Sequence, residues 1–235
     1  MVEYTQEFLG TMILVLLNNG IVANVLLKKT KGNTKSHWWM VSIGAGLAVM
    51  LGIFIASTAS LAFLNPAIAF SMFVIKKISF SKMIWYIVSE MLGGMTGALL
   101  VYLAYKNHYD LTEDKESILS TFVTTPAIGR RKWNVVTEII ATFILASVIV
   151  SVAFQQITSG LIPLIIGFTV TSLGLSLGGP TGFAMNPARD FGPRLIHHFL
   201  KLGDSHFEYA FVPILGPMIG ALLGTTLFTY ILGGL

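Results

Sequence analysis

Apolar positions in this chain come in long unbroken runs, without the regular alternation of a protein that keeps one face wet. Six runs stand out, at about 8–27, 38–57, 83–104, 134–154, 161–178 and 209–232. About 20 apolar residues are needed to cross a hydrocarbon layer about 30 Å thick, so each run predicts a transmembrane helix. Six crossings leave both termini on the same side. The leader of the first run, MVEYTQE, contains Glu3 and Glu7 and lacks a basic n-region, which predicts a retained helix in place of a cleaved signal peptide.

Two stretches break the pattern. STASLAFL at 57–64 and GGPTGFAM at 178–185 carry small and hydroxyl residues, and each leads into an Asn-Pro-Ala box. The first box is Asn65, Pro66 and Ala67, the second Asn186, Pro187 and Ala188. Asn is a favoured N-cap and Pro is favoured at the first helical position, so each box predicts a helix start. A helix from 66 to 76 has 11 residues, about 16 Å at the α-helical rise, so it can enter a membrane and cannot cross it. Non-helical backbone survives at membrane depth only when buried in protein or facing a wet cavity. Both approaches are therefore expected to line a pore.

The chain also repeats itself. LGGMTGALL at 92–100 matches LGPMIGALL at 215–223, LNPAIAF at 64–70 answers MNPARDF at 185–191, and EFLGT at 7–11 answers EIIAT at 138–142. Three matches in the same order predict two homologous halves: repeat 1 at about 1–106, a connecting loop at about 107–132, and repeat 2 at about 133–235. Each half holds three spans, an odd number, so the second lies upside down relative to the first. The predicted fold is an all-α membrane protein, six transmembrane helices plus two re-entrant half-helices, arranged as an inverted repeat within one domain.

Composition agrees: 54% of residues are hydrophobic and only 11% charged, with a mean hydropathy of +0.76. The absence of Cys removes disulfides and thiolate chemistry. The net charge of +4 is spread over connectors, at Lys28, Lys29, Lys31 and Lys35, at Lys76, Lys77 and Lys82, and at Arg130, Arg131 and Lys132. No basic stripe suits a nucleic acid.

The inverted symmetry points both half-helix N-termini at one midplane. Each carries about half a positive charge and free N–H donors, which opposes cations there and leaves neutral solutes unaffected. The Asn65 and Asn186 carboxamides can offer N–H groups to a solute oxygen. Arg189 follows the second box, where its fixed charge adds to the barrier and its forked donors suit hydroxyls. Glu7 and Glu138 are intramembrane carboxylates at matching repeat positions, expected to brace the re-entrant loops by accepting their unused N–H groups. Asp190, in the first turn of its half-helix, is expected to interact with that N-terminus and with Arg194. Glu90, which has no acidic counterpart, is read as a satisfied buried group near a helix end. Gly93 with Gly97 and Gly216 with Gly220 allow close helix packing. His197, His198 and His206 are close in sequence, but adjacent histidines on a helix point different ways, so no metal site is expected.

The paired boxes, the EFLGT glutamate and the block TGFAMNPARDFGPR resemble the aquaporin, or major intrinsic protein, family over essentially the whole chain. Asp190 after the second box, Arg194 beyond it and Pro213–Ile214 resemble the glycerol-facilitator (aquaglyceroporin) branch. The resemblance implies a passive channel for small uncharged solutes, glycerol and similar polyols and water, that excludes ions and protons. It further implies a right-handed six-helix bundle, a homotetramer with a pore in each subunit, and a cell-membrane location in the lipid bilayer with both termini cytoplasmic. Carried over by position, the family's constriction falls on Ala45, Gly174, Phe183 and Arg189, and the pore-facing backbone carbonyls on Leu61, Ala62, Phe63, Gly182 and Ala184. The chain departs from the pattern at Ala45, where glycerol facilitators generally have a bulky aromatic, and at Leu61 and Phe63, where the family commonly has Gly and His. Ala45 implies a wider opening with one aromatic wall, Phe183, hence a permissive pore. The positive-inside rule favours the opposite orientation, since Lys and Arg are more numerous in the loops the family places outside.

Two other classes of function are consistent with parts of the sequence. An ion- or proton-coupled secondary transporter would use Glu7, Glu138 and Asp190 as coupling sites; a water, peroxide or gas pore would show little preference for glycerol. An enzyme would need a nucleophile or metal constellation, and no His/Glu/Asp set has suitable spacing. No cofactor is expected.

Overall fold

The computed structural model describes residues 1–33, 37–155 and 157–233. Lys35 of the first basic connector and the last two positions of repeat 2 lie outside them. Among the described residues every regular element is helical. In chain order they are α1 (Val2–Leu26), α2 (Trp38–Ala56), α3 (Pro66–Val74), α4 (Phe80–Ala104), α5 (Lys106–Leu111), α6 (Lys115–Ser120), α7 (Arg131–Phe154), α8 (Ile162–Leu177), α9 (Pro187–Phe199) and α10 (Phe211–Ile231).

Five of these are long and apolar enough to cross a membrane: α1, α2, α4, α7, and α10 with the turn before it. The span expected at 161–178 is shorter. Helix α8 has 16 residues, about 24 Å, and a 3-10 turn at Ser159–Leu161 extends it to about 30 Å. The two half-helices differ in length, 9 residues in α3 and 13 in α9. The first is shorter than the expected 66–76 because the chain turns at Lys76, whose φ is 60°.

Swapping the halves maps the packing onto itself. Helix α1 packs on α4 as α7 packs on α10, α2 and α8 pack on each other, and each half's last long helix lies against the other half's half-helix, α4 on α9 and α10 on α3. Glycines allow the closest of these approaches. A Cβ on Gly93 would sit 2.4 Å from the Phe8 carbonyl and one on Gly97 2.5 Å from that of Met12; in the second half a Cβ on Gly220 would meet the Ile139 carbonyl at 2.4 Å. Backbones in contact give these helices the dispersion energy that holds spans together where lipid offers no hydrophobic gain.

The connector at 107–132 is more than a polar loop. It folds into α5 and α6 and buries Tyr109, Ile118, Leu119, Phe122 and Val123. Its apolar side chains supply a hydrophobic face that the overall polarity of the segment hides, and that face covers one end of the bundle.

Candidate functional site

The two re-entrant loops are built alike. In each, two non-glycine residues take left-handed backbone: Ala62 and Leu64 at φ 52° and 51°, Phe183 and Met185 at 43° and 50°. Such conformations cost about 1–3 kcal/mol each and persist only where the surroundings over-determine them. A buried carboxylate does that in each half. Glu7 accepts hydrogen bonds from Ser60 Oγ (2.8 Å), Phe63 N (3.2 Å) and Leu64 N (2.9 Å). Glu138 accepts from Thr181 Oγ1 (2.7 Å), Ala184 N (3.0 Å) and Met185 N (2.8 Å). With the N–H groups held on one side, carbonyl oxygens of the loops are left for the other.

Each loop ends in its box. Asn65 Oδ1 caps α3 by accepting from Ala67 N at 3.0 Å, and Asn186 Oδ1 caps α9 by accepting from Ala188 N (2.9 Å) and Arg189 N (3.3 Å). Each carboxamide also reaches across: Asn65 Nδ2 donates to the Met185 carbonyl at 2.8 Å, and Asn186 Nδ2 to the Leu64 carbonyl at 2.7 Å. The half-helices therefore meet tip to tip. The reciprocal bonds take one N–H of each amide, so half of the expected donor capacity remains for a solute.

A cavity of about 550 Å³ runs past this junction. Asn65 and Asn186 both line it, together with Arg189, Phe183, Ala45, Leu61, Phe63 and Lys77. Ala62 and Ala184 also line it; Gly174 and Gly182 are not among its lining residues. Gly174 acts one layer back, where a Cβ would lie 2.9 Å from the Phe183 ring, and its carbonyl accepts from Trp38 Nε1 at 3.0 Å. Trp38 stacks edge-on against Phe183, centroids 5.7 Å apart, so the aromatic wall is backed by a second ring. A Cβ on Gly182 would press on Thr124 of the connector.

Arg189 is 9% exposed, and Nη1 has no partner among the described residues. Its neighbour takes the opposite role. Asp190 accepts from Arg194 Nη2 (2.7 Å) and Nε (3.1 Å) on one oxygen, and from Thr124 N and Oγ1, both at 2.7 Å, on the other. Asp190 thus pairs with Arg194 as expected, while its second partner is the connector and not the helix N-terminus. Arg194 also donates to the carbonyls of Ser205 and His206, at 2.6 and 3.1 Å.

Glu90 differs from its expected setting. Because α4 starts at Phe80, residue 90 lies in mid-helix, fully buried, and neither carboxyl oxygen has a hydrogen-bond partner among the described residues. The histidines do not converge either. His197 is buried on Ser205 Oγ (2.8 Å), His198 packs on Phe207, and His206 lies between Glu208 (3.1 Å) and Glu116 (3.2 Å) on the surface. The Glu116 carboxylate, then that of Glu208, holds His206 above the usual imidazole range. Asp204, His206 and Glu208 bring one ligand-type atom each within 4.8 Å of one another; they serve here as ion-pair partners.

The pattern of the major intrinsic protein family matches residues 1–228. The chain belongs to this family. It is 45% identical over 231 residues, 97% of the chain and 98% of the relative, to a probable glycerol uptake facilitator protein of Thermotoga maritima. It is 40% identical over 230 residues, with the same coverage, to a glycerol uptake facilitator protein of Streptococcus pneumoniae. Among solved structures, the aquaglyceroporin from Plasmodium falciparum superposes with a TM-score of 0.86 at 27% identity, covering 97% of this chain and 94% of that one. As a member of the family the chain is a multi-pass membrane protein of a channel class.

Several residues of the site went unread in the sequence. Ser60 and Thr181, the hydroxyls that complete the two braces, sit at equivalent repeat positions and carried a usable signal. Asn18, a polar residue inside the first apolar run, also lines the cavity.

Proposed function

We propose that this chain is a passive channel for glycerol and similar small polyols, passing water as well, that excludes ions and protons. The observation carrying this reading is the tip-to-tip meeting of α3 and α9 on the wall of one cavity, with the Arg189 guanidinium close beyond it. A cation at the junction meets two helix N-termini and a fixed positive charge. A neutral hydroxyl meets N–H donors and backbone carbonyls on one side and apolar side chains such as Val49, Ile166 and Val170 on the other, which suits a molecule with one polar edge and one carbon face. The site roles follow: Asn65 and Asn186 as the midpoint donors, Ala45, Phe183 and Arg189 as the filter with Gly174 behind it, and the carbonyls of residues 61–63 and 184 as acceptors. Glu7, Glu138 and Asp190 serve as supports.

Coupled transport would need a free carboxylate in the path. Glu7, Glu138 and Asp190 have both oxygens engaged by protein donors, and none lines the cavity. We read the chain as a single non-enzymatic channel domain, two inverted repeats joined by 107–132, assembling as a homotetramer in the cell membrane with cytoplasmic termini. Cysteine accessibility in this Cys-free background tests the orientation.

Stopped-flow light scattering on proteoliposomes tests the function. Vesicles carrying the protein should take up glycerol with a low activation energy, in proportion to the gradient and independently of a proton gradient. Vesicles no more permeable to any polyol than empty ones, or uptake driven by protons, would refute it.

A further inference from the structure

Asn18 places a carboxamide on the cavity wall within the otherwise apolar middle of α1. Leu14 packs at Gly52 and Ile21 at Gly44, so the antiparallel register of α1 and α2 sets Asn18 opposite Ala48. That is within a turn of Ala45 and Val49, which line the same wall. Ala45 contributes only a methyl group there, and Asn18, 5% exposed, lines the cavity beside it.

The orientation of this amide is forced by its neighbours. The Phe122 carbonyl can only accept, so Asn19 turns Nδ2 to it, at 3.0 Å. Asn19 Oδ1 then faces Asn18 and must receive Asn18 Nδ2, at 2.9 Å. What remains of Asn18 is its carbonyl oxygen and one N–H. Among the described residues no side-chain or backbone donor reaches that oxygen, and it is not sealed in as the orphan atoms of Glu90 are. A carboxamide oxygen at membrane depth without a partner is costly. The contents of the cavity are the remaining source of a donor.

The other polar side chains nearby cannot play this part. Arg189 has only donors, and the free groups of Asn65 and Asn186 are N–H as well. A hydroxyl both accepts and donates, so these side chains satisfy half of it, and Asn18 Oδ1 adds a side-chain acceptor to the backbone carbonyls of the re-entrant loops. We propose that Asn18 is a solute-binding residue of the pore, its Oδ1 accepting a hydroxyl hydrogen while Arg189 donates to a neighbouring hydroxyl, and that the pair favours three- and four-carbon polyols over water. The assignment rests on the channel reading above.

The test is the ratio of polyol to water permeability in proteoliposomes, with glycerol and erythritol as the probes. Asn18→Leu keeps the branched shape of the side chain and removes the acceptor. It should lower the ratio roughly three- to tenfold for both polyols, the range expected for one hydrogen bond to a neutral partner, with water flux falling by a smaller factor than polyol flux. Asn18→Ala should lower the ratio likewise and covers a Leu variant that fails to fold. Asn19→Leu cuts the tether to Phe122 and leaves the Asn18 amide on the wall, so it should keep more of the polyol preference than Asn18→Leu. An unchanged or raised ratio in both Asn18 variants, or a fall of water and polyol flux by the same factor, overturns the assignment while leaving the channel intact. Wild-type vesicles without polyol flux overturn both.

Discussion

The first re-entrant loop and the second share a frame and differ in what surrounds it. Both have a carboxylate brace, a hydroxyl residue next to it, the same pair of left-handed residues and an Asn cap. The first, however, opens to the surface: Leu61 is 52% exposed, and its N–H donates to the Tyr86 hydroxyl at 3.4 Å. The equivalent position in the second loop is Gly182, at φ 81°, lying under Thr124 of the connector. Helix α3 follows with apolar side chains, whereas α9 follows with Arg189, Asp190 and Arg194. The braces and caps, present twice, hold the backbone in place, and the Arg189 guanidinium, present once, stands at the cavity.

Removing a shared feature should have the largest effect. Glu138→Leu leaves Thr181 Oγ1, Ala184 N and Met185 N without an acceptor, and Glu7→Leu does the same to Ser60, Phe63 and Leu64. At about 1–3 kcal/mol per orphaned donor the loss is about 3–9 kcal/mol, enough to abolish a monodisperse peak in detergent chromatography. Equal losses sharpen the comparison. A well-folded Glu138 variant beside an unfolded Glu7 variant would break it.

An unshared feature should change selectivity and leave the fold alone. Arg189→Val matches the apolar Ile68 at the equivalent place in α3. Proton or potassium leak should rise by about tenfold or more, since a unit charge at close range shifts a cation by more than about 1.4 kcal/mol, while glycerol flux persists. Unchanged leak would remove Arg189 from the barrier.

The smallest effect belongs to His206, in a surface loop that the first half lacks. Its pKa is raised in the folded protein, so its contribution is complete below the unfolded value of about 6.5 and fades as pH climbs through the raised native value. His206→Gln should lower the Tm at pH 5.5, by less than about 1 kcal/mol in stability because the pairs are partly exposed, and have no effect at pH 9. A shift that is the same at both pH values would show that charge plays no part.

The architecture was legible because two strong signals agreed, apolar run length and the repeat. The boxes announced the caps, and the matched positions of Glu7 and Glu138 announced the braces. What stayed hidden depends on long-range contact. Thr124 meets Asp190 across 66 positions, Trp38 meets Gly174 across 136, and nothing local in either segment names its partner. Gly174 looked like a lining residue by alignment; the Phe183 ring stands between it and the cavity wall. Glu90 was misplaced because α4 begins earlier than the apolar run suggests, Phe80 and Ser81 being drawn into the helix by the Ser79 cap.

The crossed amides have a consequence for biogenesis. Asn65 is made about 120 positions before the carbonyl it must reach; at about 5–20 residues per second, translation separates the two by roughly 6–24 s. During that interval the first half sits in the bilayer with an unmatched amide at its tip, and the later half arrives as the template that closes it. The midpoint of the channel therefore cannot close until the second box has been made, however early its first residues are synthesised.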